Sequence, residues 1–230
     1  MSGSADGRHL EVVLGSASPA RLSVLRHAGL DPRVVVSEVD EDDLLTTLAA
    51  EAPGDAVTRL AQAKADSVIR TLLGERLDHA GSADAQTLPD LVVLTCDSML
   101  LHRGTLTGKP HSAEVAIEQW KRLRGDEAQL LTGHCVSHIS GLEVVGRSAE
   151  SASTVVRFAD VDDDEINAYV STGEPLEVAG AFTLDGRGGW FIESIEGDPS
   201  SVIGIGLPTV RHLLRRLGIP VSSLWTSNNV

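Results

Sequence analysis

Short apolar runs alternate along this chain with longer stretches whose apolar residues recur at helical spacing. The run 12–14 reads as a strand ending at Gly15, after which Leu22, Leu25 and Ala28 mark one face of a helix that Gly29 stops. Ser18 suits the N-cap of that helix and Pro19 its first position. A short strand over 33–37 runs into an acidic cluster, Glu38, Asp40, Glu41, Asp42 and Asp43, which reads as a solvated loop. A long helix over 55–73 places Val57, Leu60, Ala61, Ala65, Val68, Ile69 and Leu72 on its apolar side. Lys64 falls within that stripe, between Leu60 and Val68, so it either snorkels or reaches a buried anion.

The polar stretch 78–90 reads as a surface loop, and the continuous apolar run 91–95 as a buried strand that ends in Cys96-Asp97-Ser98. A turn at Arg103-Gly104 precedes Gly108-Lys109-Pro110, and a helix over 113–123 offers Val115, Ile117, Trp120 and Leu123 for packing. Strands follow over 129–139, 142–148 and 153–158, the first pair joined at Gly141. A helix over 163–171 has Asp162 as its cap, Glu165 as capping-box partner and Gly173 past its end. A strand over 190–195 and a helix over 208–217, closed by Gly218 and Pro220, complete the pattern. There is no internal repeat and no low-complexity linker. This mixture favours one α/β domain.

Composition narrows the partners. The chain has 230 residues, and its hydrophobic share of 42% is enough for a real core. Its formal charge of −14 argues against a nucleic-acid polymer, which needs a basic face, but leaves room for a free nucleotide in a local basic pocket. The two cysteines, Cys96 and Cys135, lack a zinc spacing and read as reduced. The polar residues 1–9 do not resemble a signal segment, and no run reaches the length of a membrane span, so a cytoplasmic location is expected.

Candidate chemistry gathers at the expected strand ends and helix starts. Ser16, Ser18 and Arg21 surround a helix N-terminus, an arrangement that suits phosphate or carboxylate and equally suits an ordinary capped helix. Gly104-x-x-x-Gly108-Lys109-Pro110 is one residue short of a phosphate-binding loop and has proline where the metal-binding hydroxyl belongs. Asp97 lacks a second aspartate two positions on, and no dinucleotide fingerprint, nucleophile elbow or paired-histidine metal motif is present. What remains is Arg21, Glu41, Lys64, Asp97 and Lys109. Cations alone would bind phosphate; two carboxylates add the means for a metal site and a base for water.

Taken in order, these segments resemble the Maf family of nucleoside triphosphate pyrophosphatases. The resemblance rests on Ser16-Ala-Ser-Pro-Ala-Arg21, Val39-Asp-Glu41, Leu60-Ala-Gln-Ala-Lys-Ala65, Cys96-Asp-Ser98, Leu106-Thr-Gly-Lys-Pro110 and Thr132-Gly133. It continues through Glu174-Pro175, Ala179-Gly-Ala-Phe182, Ile195-Glu-Gly-Asp198 and Val202-Ile-Gly204. It implies a mixed, strongly curved α/β sheet with flanking helices and two lobes around a cleft. A single domain over 10–218 is expected, with 1–9 and 219–230 as terminal extensions, and homodimers are usual. Asp97 is implied as the catalytic base and, with Glu41, as ligand to Mg²⁺ or Mn²⁺. Arg21, Lys64 and Lys109 are implied to hold the triphosphate with help from Ser16, and Ser18, Ser98 and Asp185 are counted with them as substrate-binding.

Three departures concern the base and its surroundings. Ala20 stands where pyrimidine-preferring members have a first arginine, Asp185 where they have glutamine, and Ser98 where threonine is usual. Asp185 would favour a base presenting donors, such as cytosine or a modified base. The resemblance leaves a second role open, a nucleotide-binding regulator of cell division with little hydrolysis.

Overall fold

The computed structural model of this protein describes residues 10–80 and 88–226. Strand β1 (Leu10–Leu14) sends Val12 and Leu14 to one side and Val13 to the other, and all three are buried, so both faces of the sheet must be covered. On the first face lie α1 (Pro19–His27) and α7 (Leu207–Arg216), which contribute Leu25, Val210, Leu213 and Leu214 to a core with Leu94, Cys96 and Val136. On the second lies the long helix α3 (Pro53–Ala80), whose Ala61, Ala65, Val68, Ile69 and Leu72 pack on Val13, Leu91 and Val93. The stripe expected over 55–73 is therefore the core face of α3.

The sheet also contains β2 (Arg33–Val34), β3 (Asp90–His102), β4 (Thr105–Thr107), β5 (Glu127–Ser140), β6 (Glu143–Phe158) and β7 (Ile192–Glu196). Its order is β2-β1-β3-β5-β6-β7, with β4 hairpinned onto β3. β1 is parallel to β2 and β3, whereas the adjacent pairs β3–β5, β5–β6 and β6–β7 are antiparallel. This is the mixed α/β sheet that the resemblance implies.

Several expected boundaries move. The strand read over 91–95 continues to His102, because β5 pairs with it from Leu91 to Leu101 and satisfies its backbone throughout. The strands over 142–148 and 153–158 are one strand, held by the same long partner across a stretch of small and polar residues. The acidic cluster is not all loop: Asp40 caps α2 (Glu41–Thr47) through its bond to the Asp43 amide. A short helix α6 (Pro199–Ile203) also lies where none was expected, capped by Asp198. The polar loop over 78–90 overlaps the end of α3, and its 81–87 part lies outside the described residues, as does the 1–9 terminus.

At the far end of β3 and β5, α4 (Ala113–Leu123) and α5 (Asp163–Ser171) enclose an aromatic core, and α5 begins with the expected capping box. Trp120 is fully buried, edge-on to Phe158 at 5.6 Å and to Tyr169 at 5.5 Å, and its indole N–H donates to the Ala181 carbonyl. Residues beyond 218 join the fold: Ile219 and Leu224 are buried with α7, and the Thr226 amide donates to the Gly29 carbonyl. Among the described residues no helix is long and apolar enough to cross a membrane.

Candidate active site

Strand β3 is flanked on one edge by two different strands with a gap between them. β1 pairs with it up to Leu94 and β4 only from Leu100, while β5 covers the opposite edge throughout. Residues 95–99 therefore border an opening in the sheet, at the carboxyl end of a parallel strand, where α/β folds place ligands. Asp97 lies in mid-strand at this opening, not at a strand end as expected.

Alternation sends Thr95 and Asp97 toward α3 and Cys96 and Ser98 to the other face. The Thr95 hydroxyl donates to the Ala61 carbonyl at 2.7 Å. Opposite Asp97 on β5 stands Gly133, where any Cβ would overlap the Val57 carbonyl. The α3 backbone thus rests directly on the sheet, and Lys64, two turns beyond Val57, is carried to Asp97. Lys64 does not snorkel. Its Nζ is buried and pairs with Asp97 Oδ1 and with Glu41 Oε1, the latter at 2.8 Å. Glu41 comes from α2, held in place by Leu44, Leu45 and Leu48 against Val57, Leu60 and Met99.

The two carboxylates differ in environment. Burial pushes the Asp97 carboxyl above the usual aspartate range, and neighbouring Glu41 adds to this, although Lys64 and Arg21 pull the other way. Burial also opposes the charge of half-exposed Glu41, but Lys64, with Lys109 and Arg21, outweighs it and holds Glu41 below its ordinary value. Paired carboxyls driven in opposite directions suit one proton acceptor and one permanent charge. Both carboxylates converge on the Lys64 ammonium, and both offer oxygens of the kind a hard divalent ion takes together with phosphate oxygens and water. No group of three or more His, Cys, Asp or Glu side chains suited to a metal occurs among the described residues.

Arg21 approaches from the other side of the opening. Its Nη1 donates to Ser16 Oγ at 3.0 Å and its Nε to the Gly204 carbonyl at 3.0 Å. Gly15, beneath this loop, has no room for a side chain against Thr95. Lys109 is exposed on the loop after β4, which the Gly180 amide fastens by donating to the Gly108 carbonyl. Lys64, Asp97 and Ser16 thus form a buried floor, with Glu41, Arg21 and Lys109 around a more open rim.

Other expected site residues are placed differently. Ser18 is the N-cap of α1, accepting from the Arg21 amide at 3.4 Å. Ser98 points away from Lys64 and shares a hydrogen bond with Thr132 at 3.0 Å. Asp185 is exposed beyond Phe182, and among the described residues its side chain makes no hydrogen bond or ion pair with the charged cluster. His134, which belongs to no motif in the sequence, accepts from the Gly206 amide through Nε2 at 2.8 Å. A lone histidine beside Thr132-Gly133 carries no signal of that contact.

The sequence matches the family described as Maf-like protein over residues 11–217. It is 50% identical over 221 residues to a nucleoside triphosphate pyrophosphatase of Rhodococcus erythropolis, covering 96% of this chain and 99% of that one. Proteins of the same name from Mycolicibacterium vanbaalenii and Corynebacterium diphtheriae are 51% and 49% identical, covering 93% and 95% of this chain and 98% and 100% of their own. With that coverage, and with Arg21, Glu41, Lys64 and Asp97 gathered at one opening in the sheet, the chain belongs to the Maf family.

Proposed function

We propose that this protein is a nucleoside triphosphate pyrophosphatase that cuts between the α- and β-phosphates, releasing a nucleoside monophosphate and pyrophosphate. The observation that carries this reading is the buried Lys64 ammonium between Asp97 and Glu41, with Arg21 and Lys109 within electrostatic reach. The names of relatives about half identical over nearly their whole length support the same activity.

Arg21, Lys64 and Lys109 neutralise the polyphosphate, and the Ser16 hydroxyl keeps the guanidinium aimed at it. Asp97, its basicity raised by burial, takes the proton of a water that attacks the α-phosphorus as the bond to the bridging oxygen breaks. The same cations offset the charge that grows on the departing pyrophosphate. Glu41 and Asp97 would hold a divalent cation, Mg²⁺ or Mn²⁺, jointly with phosphate oxygens, and that ion would supply further charge neutralisation.

The test measures pyrophosphate release from ordinary and modified nucleoside triphosphates, with and without Mg²⁺ or Mn²⁺. Metal-dependent release is expected, and Asp97→Asn should cut turnover by roughly 10²–10⁴-fold while leaving nucleotide affinity nearly unchanged. Tight nucleotide binding by wild type without release would instead favour the regulator.

A further inference from the structure

Arg21 is aimed by two acceptors, and one of them belongs to a short segment whose own position needs an explanation. The Gly204 carbonyl accepts from Arg21 Nε at 3.0 Å and from Cys96 Sγ at 3.3 Å. Residues 204–206 join α6 to α7 and are largely buried. Ile205 is fully buried in the core, which sets the depth of the segment, but an apolar contact is non-directional and does not set its rotation. Direction comes from hydrogen bonds: the Gly204 and Ile205 amides both donate to the Ser200 carbonyl and the Leu207 amide to Ser200 Oγ, which ties the segment to α6, and the sheet reaches its two ends. Cys96 and His134 are cross-strand partners on one face of β3 and β5; the first reaches Gly204 and the second Gly206.

We propose that His134 is a positioning residue for phosphate binding: by accepting the Gly206 N–H it orients residues 204–206, and through the Gly204 carbonyl it aims Arg21 at the triphosphate. This rests on Arg21 being a phosphate ligand, as read above.

The chemistry of the ring supports the assignment. A backbone amide can only donate, so Nε2 must carry the lone pair and Nδ1 the hydrogen. Nδ1 is buried on the side of the Thr132 backbone, which leaves Nε2 as the acceptor for Gly206. Burial, and after it the Arg21 charge, pushes the imidazole down to about 4, so Nε2 is unprotonated at neutral pH. The fit is close: a Cβ at Gly206 would lie 3.2 Å from Nε2 and 2.9 Å from Asp198 Oδ2. Cys96 and Arg21 face the ring's surroundings from β3 and α1, and Asp198 stands beyond Gly206 at the cap of α6.

The experiment compares wild type, Arg21→Ala, His134→Leu, His134→Gln and the double variant Arg21→Ala/His134→Leu. It reads affinity for inorganic tripolyphosphate by calorimetry and KM and kcat for a hydrolysed nucleotide. His134→Leu is expected to weaken tripolyphosphate binding and raise KM by about tenfold, the equivalent of one good hydrogen bond, with kcat within about twofold. His134→Gln, which keeps an acceptor, should recover most of that loss. In the Arg21→Ala background, removing His134 should add nothing. Should His134→Leu fail to fold, His134→Asn replaces it, its shorter amide falling short of Gly206. Weakening by Arg21→Ala without weakening by the acceptorless His134 variant overturns the proposal, as does full additivity in the double variant. No effect of Arg21→Ala itself would overturn the phosphate role of Arg21 instead.

Discussion

Two neighbouring stretches of β3 have opposite characters. Around Asp97 the strand borders an open edge and buries a carboxylate against a lysine, whereas around Leu100 it joins the aromatic core of Trp120, Phe158 and Tyr169. The aromatic end stabilises the fold through area and edge-on ring contacts. At the charged end two groups have left water, and their attraction roughly offsets that desolvation, so the pair contributes little net stability while either partner alone would be costly. Stability and chemistry are thus divided along one strand, a few residues apart.

That division can be broken first at its stable end. Trp120→Ala should cost about 3–5 kcal/mol in denaturant melts, with little dependence on pH, because no charge is involved. Lys64→Met should cost about 3 kcal/mol at pH 8 by leaving Asp97 buried without its cation. Its pH dependence is the sharper test. Without Lys64 the Asp97 carboxyl rises further above its ordinary 3.8, the folded state holds the extra proton, and stability falls as pH rises through that raised value. Melts at pH 5 and pH 8 should therefore separate Lys64→Met from wild type more at pH 8; an equal gap at both would mean that Lys64 acts by packing alone. Glu41→Gln should have the smallest effect on the fold, within about 1 kcal/mol, since Glu41 is half exposed. It should nonetheless raise the Mg²⁺ concentration for half-maximal rate by on the order of tenfold, read in a metal titration of pyrophosphate release.

Local order was well marked in the sequence where one residue type performs one local task. Ser18 before Pro19, Asp162 with Glu165, and Arg103-Gly104 all stand where expected, because caps and tight turns are decided within a few residues. Helix α2 is marked by Asp40 and the spacing of Leu44, Leu45 and Leu48, yet its acidic composition resembles a solvated loop, and it is held by packing on α3. The extent of β3 is not legible in the sequence because a strand continues as long as a partner does, and its partner beyond residue 95 lies some thirty to forty residues away.

The candidate site follows the same division. Residue types and motif order were enough to pick out Arg21, Glu41, Lys64, Asp97 and Lys109 and to resemble one family, since chemistry constrains which groups can handle a triphosphate. The choice between a snorkelling and a buried Lys64 was not in the sequence. It depends on how closely α3 approaches β5, which Gly133 permits only through a contact with Val57. The opposite facing of Ser98 and Asp97, and the tie from His134 to Gly206, likewise depend on register and on loops brought together from distant parts of the chain. Local propensity and chemical type are properties of the residues themselves, whereas burial, pairing and direction belong to contacts that exist only once the chain has folded.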